Sequence, residues 1–131
     1  MDLGQMEQRV VNDYTVLGVG NLNGYEWLIN NRGYANIVRR SESNVYGILF
    51  NLTPNGLHRL DLYEGYPALY TRRRLPVNYK DQTLKPWVYI DINNISKGSP
   101  KNLYLELVIV SAMNFKLPHQ HIAHLANFLP Y

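Results

Sequence analysis

Cysteine is absent from the 131 residues. This excludes disulfides and thiol chemistry, and it fits a reducing cytoplasm, where the protein is expected to reside. No apolar run approaches the roughly 20 residues of a membrane-spanning helix, so no membrane partner is expected. Met1-Asp2-Leu3-Gly4-Gln5 has no basic region followed by an apolar one, the pattern of a secretory signal. Without that signal, the glycosylation matches Asn51-Leu52-Thr53 and Asn94-Ile95-Ser96 carry no weight. Internal repeats, linkers and low-complexity stretches are also missing. Charged residues are scarce, at 18% against 46% hydrophobic. That balance is globular, and the length suits a single domain over residues 1–131.

What charge there is leans positive, at +3 formally with an isoelectric point near 9.2. Arg72-Arg73-Arg74 form a run and Arg39-Arg40 a pair, and eleven tyrosines could supply stacking platforms for nucleic acid. Leu75-Pro76-Val77 follows the run directly, and a strand with outward arginines explains it as well, so no nucleic-acid partner is expected. His58, His119, His121 and His124 invite a metal reading. His121 and His124 lie three apart on a helical pattern, but no Cys or carboxylate nearby completes a site. They read as solvated helix histidines, with no metal and no cofactor.

Periodicity and turn chemistry order the chain. A first helix runs through Arg9, capped by Asp2, with Leu3, Met6 and Val10 on one face. Strands follow over Tyr14–Val19, Tyr25–Ile29, Tyr34–Arg40 and Val45–Leu52. They are separated by turns at Asn21–Gly24, Asn30–Gly33 and Ser41–Asn44, with Gly47 a bulge or point of close approach. Thr53-Pro54 opens a helix that Gly65 ends. Tyr70–Tyr79 and Trp87–Ile92 are further strands, the second placing Trp87, Tyr89 and Asp91 on one side. Ser99-Pro100 opens a helix carrying Leu103, Tyr104, Leu107, Val108 and Ser111. Leu117-Pro118 closes it and begins the last helix. The order argues the α+β class: a small mixed, mainly antiparallel six-stranded barrel with flanking helices.

Within this order, Leu60-Asp61-Leu62-Tyr63-Glu64-Gly65-Tyr66 stands out. Two carboxylates lie three apart in an apolar, aromatic setting. Leu57, Leu60 and Glu64 share one helix face, so the leucines that face the core carry Glu64 inward or to a cavity rim. One reading is a helix end with both acids in water. The other is a desolvated carboxylate of raised proton affinity, suited to general acid/base work.

Gly33-Tyr34-Ala35-Asn36-Ile37-Val38, Val45-Tyr46-Gly47-Ile48-Leu49-Phe50 and Leu60–Tyr66 with Tyr70, in that order, resemble the γ-glutamylcyclotransferase-like family. Tyr104-Leu105 through Ser111-Ala112 to Leu117-Pro118 resembles its C-terminal helices. The resemblance implies a small mixed barrel of about six strands. It also implies cleavage of a γ-glutamyl amino acid or amine to 5-oxoproline and the free amine, by attack of the substrate's own α-amine. Glu64 matches the family's general acid/base. Tyr70 and Tyr104 match its pocket tyrosines, and Ala35 and Asn36 are expected beside the substrate. The family begins with a strand ending in Tyr-Gly-Ser-Asn, whose loop offers backbone N–H groups to the substrate. This sequence resembles the segment after it. The resemblance therefore implies a chain without that strand and with weak or no activity. The exposed strand edge would offer a route to a homodimer. A pocket that kept its walls but lost turnover would be a binding module for γ-glutamyl or carboxylate ligands.

Overall fold

A computed structural model describes residues 3–130, without the side chains of Leu3, Gly4, Gln5 and Glu7. The expected cap at Asp2 and the packing of Leu3 lie outside the described residues. The elements run α1 (Leu3–Val10), β1 (Tyr14–Ile29), β2 (Ala35–Leu52), α2 (Pro54–Glu64), β3 (Thr71–Arg74), β4 (Val77–Tyr79), β5 (Gln82–Leu84), β6 (Trp87–Ile90), α3 (Tyr104–Asn114) and α4 (His119–Ala126). The class is α+β, with antiparallel pairing throughout. Strands order β2-β1-β4-β5 in one sheet and β3-β6 in a second, and among the described residues these do not close into a barrel.

The four strands read before residue 53 are two long ones. The turn chemistry at Asn21–Gly24 and Ser41–Asn44 makes a bulge instead of reversing the chain. Asn23 pairs with Asn44 and Tyr25 with Arg39, so Gly24 opposes four residues of β2. Gly24 (φ 84°) and Glu42 (φ 65°) take the left-handed backbone this requires. Only Asn30–Gly33 turns the chain, closed by Tyr34 O accepting from Asn30 N at 2.8 Å. Gly47 is not the tight position either. It pairs in register with Gly20 and has open space above it, whereas a Cβ on Gly20 would lie 2.6 Å from Val77 Cγ1.

The expected strand Tyr70–Tyr79 splits at Leu75-Pro76. Proline has no N–H for a ladder, and the two halves join different sheets. A short strand not expected from the sequence, β5, follows β4 with only Lys80 and Asp81 in the reversal. Ser99-Pro100 does not open α3, because its backbone is engaged elsewhere. Gly98 N donates to Ile29 O and Lys101 N to Gly33 O, tying this segment to the β1–β2 turn. The helix begins at Tyr104, after Leu103 in left-handed conformation.

α2 forms as read. Thr53 Oγ1 accepts from Gly56 N at 3.0 Å, Pro54 opens the first turn, and Gly65 (φ 66°) caps the end in left-handed conformation. Its buried Leu60 meets Met6 and Val10 of α1. The main core gathers Trp27 and Ile29 of β1, Leu105 of α3 and Leu125 of α4. Among the described residues, no helix is long and apolar enough to cross a membrane.

α4 departs from the solvated reading of its histidines. His119 is exposed, but His121 is buried edge-on to Tyr46, and His124 Nε2 lies 2.7 Å from Trp27 O. Burial, helped by neighbouring His124, lowers the His121 pKa to about 4. The unfolded chain, with an ordinary value near 6.5, binds that proton more readily. Stability is therefore expected to fall as pH drops from about 6.5 to 4, and to level off below, by on the order of 3 kcal/mol. Urea unfolding across that range checks it, with His121→Leu expected to remove most of the loss.

Candidate active site

The end of α2 carries Glu64 to a cavity of about 540 Å³, within the range typical of small-molecule sites. Its wall includes Arg9 of α1, Arg32 and Tyr34 of the β1–β2 turn, Ala35 of β2, Tyr63 and Glu64 of α2, Tyr70, Tyr89 of β6 and Tyr104 of α3. Four of the five residues expected at the site, Glu64, Tyr70, Tyr104 and Ala35, thus line one space.

Glu64 is mostly buried, with 18% of its side chain exposed. Desolvation raises its pKa, and Arg9, with Nη1 3.6 Å from Oε1, partly opposes the rise. This is the condition in which a carboxyl group exchanges protons nearer neutrality.

Both predicted tyrosines hold the backbone of Ala35. Tyr70 donates its hydroxyl to Ala35 O at 3.1 Å, and Tyr104 Oη accepts from Ala35 N at 3.3 Å. The difference matters chemically. Tyr70 has spent its proton, whereas Tyr104 still has one to donate into the cavity. Burial raises the pKa of both phenols, so both stay protonated and serve as donors.

Asn36 is not brought to the cavity. Side chains alternate along a strand, and Asn36 points into the protein. There its Nδ2 donates to Asp91 O (2.8 Å) and Asn94 O (3.1 Å), and its Oδ1 accepts from Asp91 N (3.0 Å). Its part is to pin the chain after β6. That chain holds a wholly buried carboxylate, Asp91, which accepts from the N–H groups of Asn93 and Asn94, from the amides of Asn30 and Asn94, and from Arg32 Nη1 at 3.3 Å.

Asp61, the other carboxylate of the α2 motif, braces the wall from outside the cavity. Its Oδ1 accepts from the Tyr89 hydroxyl at 2.6 Å and pairs with Arg72 Nε at 3.0 Å. Arg72 is itself stacked between Tyr66 and Trp87. One member of the arginine run is therefore packed against aromatics and a carboxylate, and Tyr66 covers it instead of facing Glu64.

Arg9, Arg32, Tyr34, Tyr63 and Tyr89 line the cavity without having been singled out. Arg9 and Arg32 carried no local signal, one being a helix arginine and the other a turn residue. For Tyr89 the signal was present, in the alternation Trp87, Tyr89, Asp91.

A search of curated protein sequences finds no match. Among solved structures, one named "Gamma-glutamyl cyclotransferase" superposes with TM-score 0.88 at 18% identity, over 99% of this chain and 83% of its own. An uncharacterized human protein gives TM-score 0.85 at 18% identity, over 96% and 80%. YkqA from Bacillus subtilis gives 0.78 at 16% identity, over 95% of this chain but 46% of its own. At such identities these likenesses establish the fold. The family model described as "Gamma-glutamyl cyclotransferase, AIG2-like" matches residues 3–106, most of the chain. The chain therefore belongs to the AIG2-like gamma-glutamyl cyclotransferase family.

Proposed function

We propose that the protein is a γ-glutamylcyclotransferase, converting a γ-glutamyl amino acid or amine to 5-oxoproline and the free amine. The observation that carries this reading is Glu64, a largely buried carboxyl group of raised pKa on the wall of a tyrosine-lined cavity.

The chemistry needs a group of this kind. The α-ammonium of the substrate must lose a proton before its nitrogen can attack the γ-carbonyl carbon. The new C–N bond closes the five-membered ring, and the nitrogen then gives up a second proton. The bond to the leaving nitrogen breaks, and that nitrogen gains two protons in becoming an ammonium. Glu64 takes each proton as carboxylate and returns it as acid, so the cycle closes without net change. No water is consumed. The negative charge on the carbonyl oxygen needs a donor while the carbon is tetrahedral, and the free proton of Tyr104 supports that role.

The test is release of 5-oxoproline from L-γ-glutamyl-L-alanine, followed by chromatography, with calorimetry on the same compound. Release above the uncatalysed rate is the expected result. Binding without release would make the protein a γ-glutamyl-binding module, and absence of both would overturn the reading.

A further inference from the structure

The reaction as proposed uses one carboxyl group, yet two guanidinium groups, Arg9 and Arg32, also line the cavity. Arg9 has its counter-charge in the cavity, in Glu64 itself. Arg32 does not. Its Nη1 reaches back 3.3 Å to Asp91 in the protein interior. Among the described residues Asp91 is the one hydrogen-bond partner of this guanidinium, so the N–H groups of Nε and Nη2 have no side-chain acceptor.

The position is built. Asn30 Oδ1 accepts from the backbone N–H groups of Arg32 and Tyr34, fixing the turn, and the Arg32 guanidinium lies over the Tyr34 ring at 5.6 Å. Asp91 is held by neutral donors on its other sides. A long, flexible side chain is thereby ordered before any ligand arrives, which removes much of the cost of binding one. A planar group with its remaining donors unspent is matched to a carboxylate.

Resting on the cyclotransferase reading, we infer that Arg32 is the fixed carboxylate anchor of this site and sets its specificity. Every γ-glutamyl compound carries a carboxylate on the carbon beside the attacking nitrogen. When the leaving group is an α-amino acid, a second one lies on the carbon beside the leaving nitrogen. Either would put a reacting nitrogen one carbon from the anchored group, and a substrate with both would use both arginines.

Three compounds test this: L-γ-glutamyl-L-alanine, L-γ-glutamylethylamide, which lacks the leaving-group carboxylate, and the dipeptide with its glutamyl α-carboxylate converted to the amide. The wild type is expected to favour the intact dipeptide at least tenfold in kcat/KM over one or both analogues, chiefly through KM. In Arg32→Gln one of those gaps should close, and the one that closes names the carboxylate held. Arg32→Lys, which keeps a cation beside Asp91 but loses the planar fork, should close it in part and serves if Arg32→Gln fails to fold. If the wild type treats all three alike, or if every gap persists in the folded variants, the inference falls while the cyclotransferase reading stands. If no compound is turned over, the same ratios read from calorimetric Kd values decide the anchor separately from the chemistry.

Discussion

Glu64→Gln is expected to lose at least 10²–10⁴-fold in 5-oxoproline release, the range for removing a positioned acid/base, while keeping its fold. Gln preserves the shape and one acceptor oxygen for Arg9 but cannot carry a proton. Stability supplies an independent check. The folded state raises the Glu64 pKa, so it holds that proton more tightly than the unfolded chain. The wild type therefore loses stability as pH rises from the ordinary carboxyl value through the folded one. Glu64→Gln has no such titration. Its stability relative to the wild type should rise across that window and then level off, by less than desolvation alone would give, because Arg9 attracts the ionised Glu64. Thermal unfolding at several pH values measures the difference. Turnover surviving in Glu64→Gln would remove this residue from the chemistry. An unchanged stability difference across pH would instead remove the raised pKa from the argument.

Asp91→Ala is expected to cost about 3–5 kcal/mol, the range for stripping one partner from a buried ion pair, out of a total near 5–15 kcal/mol for such a domain. The side chain is wholly buried. Its removal leaves Arg32 without its counter-charge and leaves the N–H groups of Asn93 and Asn94 without an acceptor. An unmade buried hydrogen bond costs more than a made one contributes. Asp91→Asn keeps the shape and an acceptor and should cost less. The two variants differ in volume as well as charge, so their order in urea unfolding is the informative result. An Asp91→Ala midpoint close to the wild type would show that the asparagines and Arg32 find other partners.

The sequence was most legible where signals are local. Thr53-Pro54 and Gly65 bound α2 because a cap and a left-handed terminus involve only a few neighbouring residues. The Leu57, Leu60 and Glu64 spacing set the direction of Glu64 because helix geometry fixes which residues share a face. It was least legible where a local signal was overruled by pairing at a distance. Asn21–Gly24 and Ser41–Asn44 have the composition of turns, but each faces the other across a hairpin, and the pair forms a bulge. Ser99-Pro100 has the composition of a helix start, but the β1–β2 turn holds the backbone on either side of it. The cavity divides in the same way. Glu64, Tyr70, Tyr104 and Ala35 could be named from order and spacing through the resemblance. Arg9, Arg32 and Asp91 could not, since their meaning comes from partners far along the chain. Asn36 lies next to a cavity residue in sequence, but strand alternation turns it to the opposite side.

The bulge has a further consequence. β2, 18 residues long, is the outermost strand of its sheet. A long, flat outer strand is a template on which another copy of the chain can add its own, the first step of aggregation. Here the template is broken midway by four residues, Arg40-Ser41-Glu42-Ser43, that leave the ladder. An incoming strand would lose its register there, and it would also meet two charged side chains. The irregularity that makes each long strand read as two in the sequence thus also interrupts the outermost strand of the sheet.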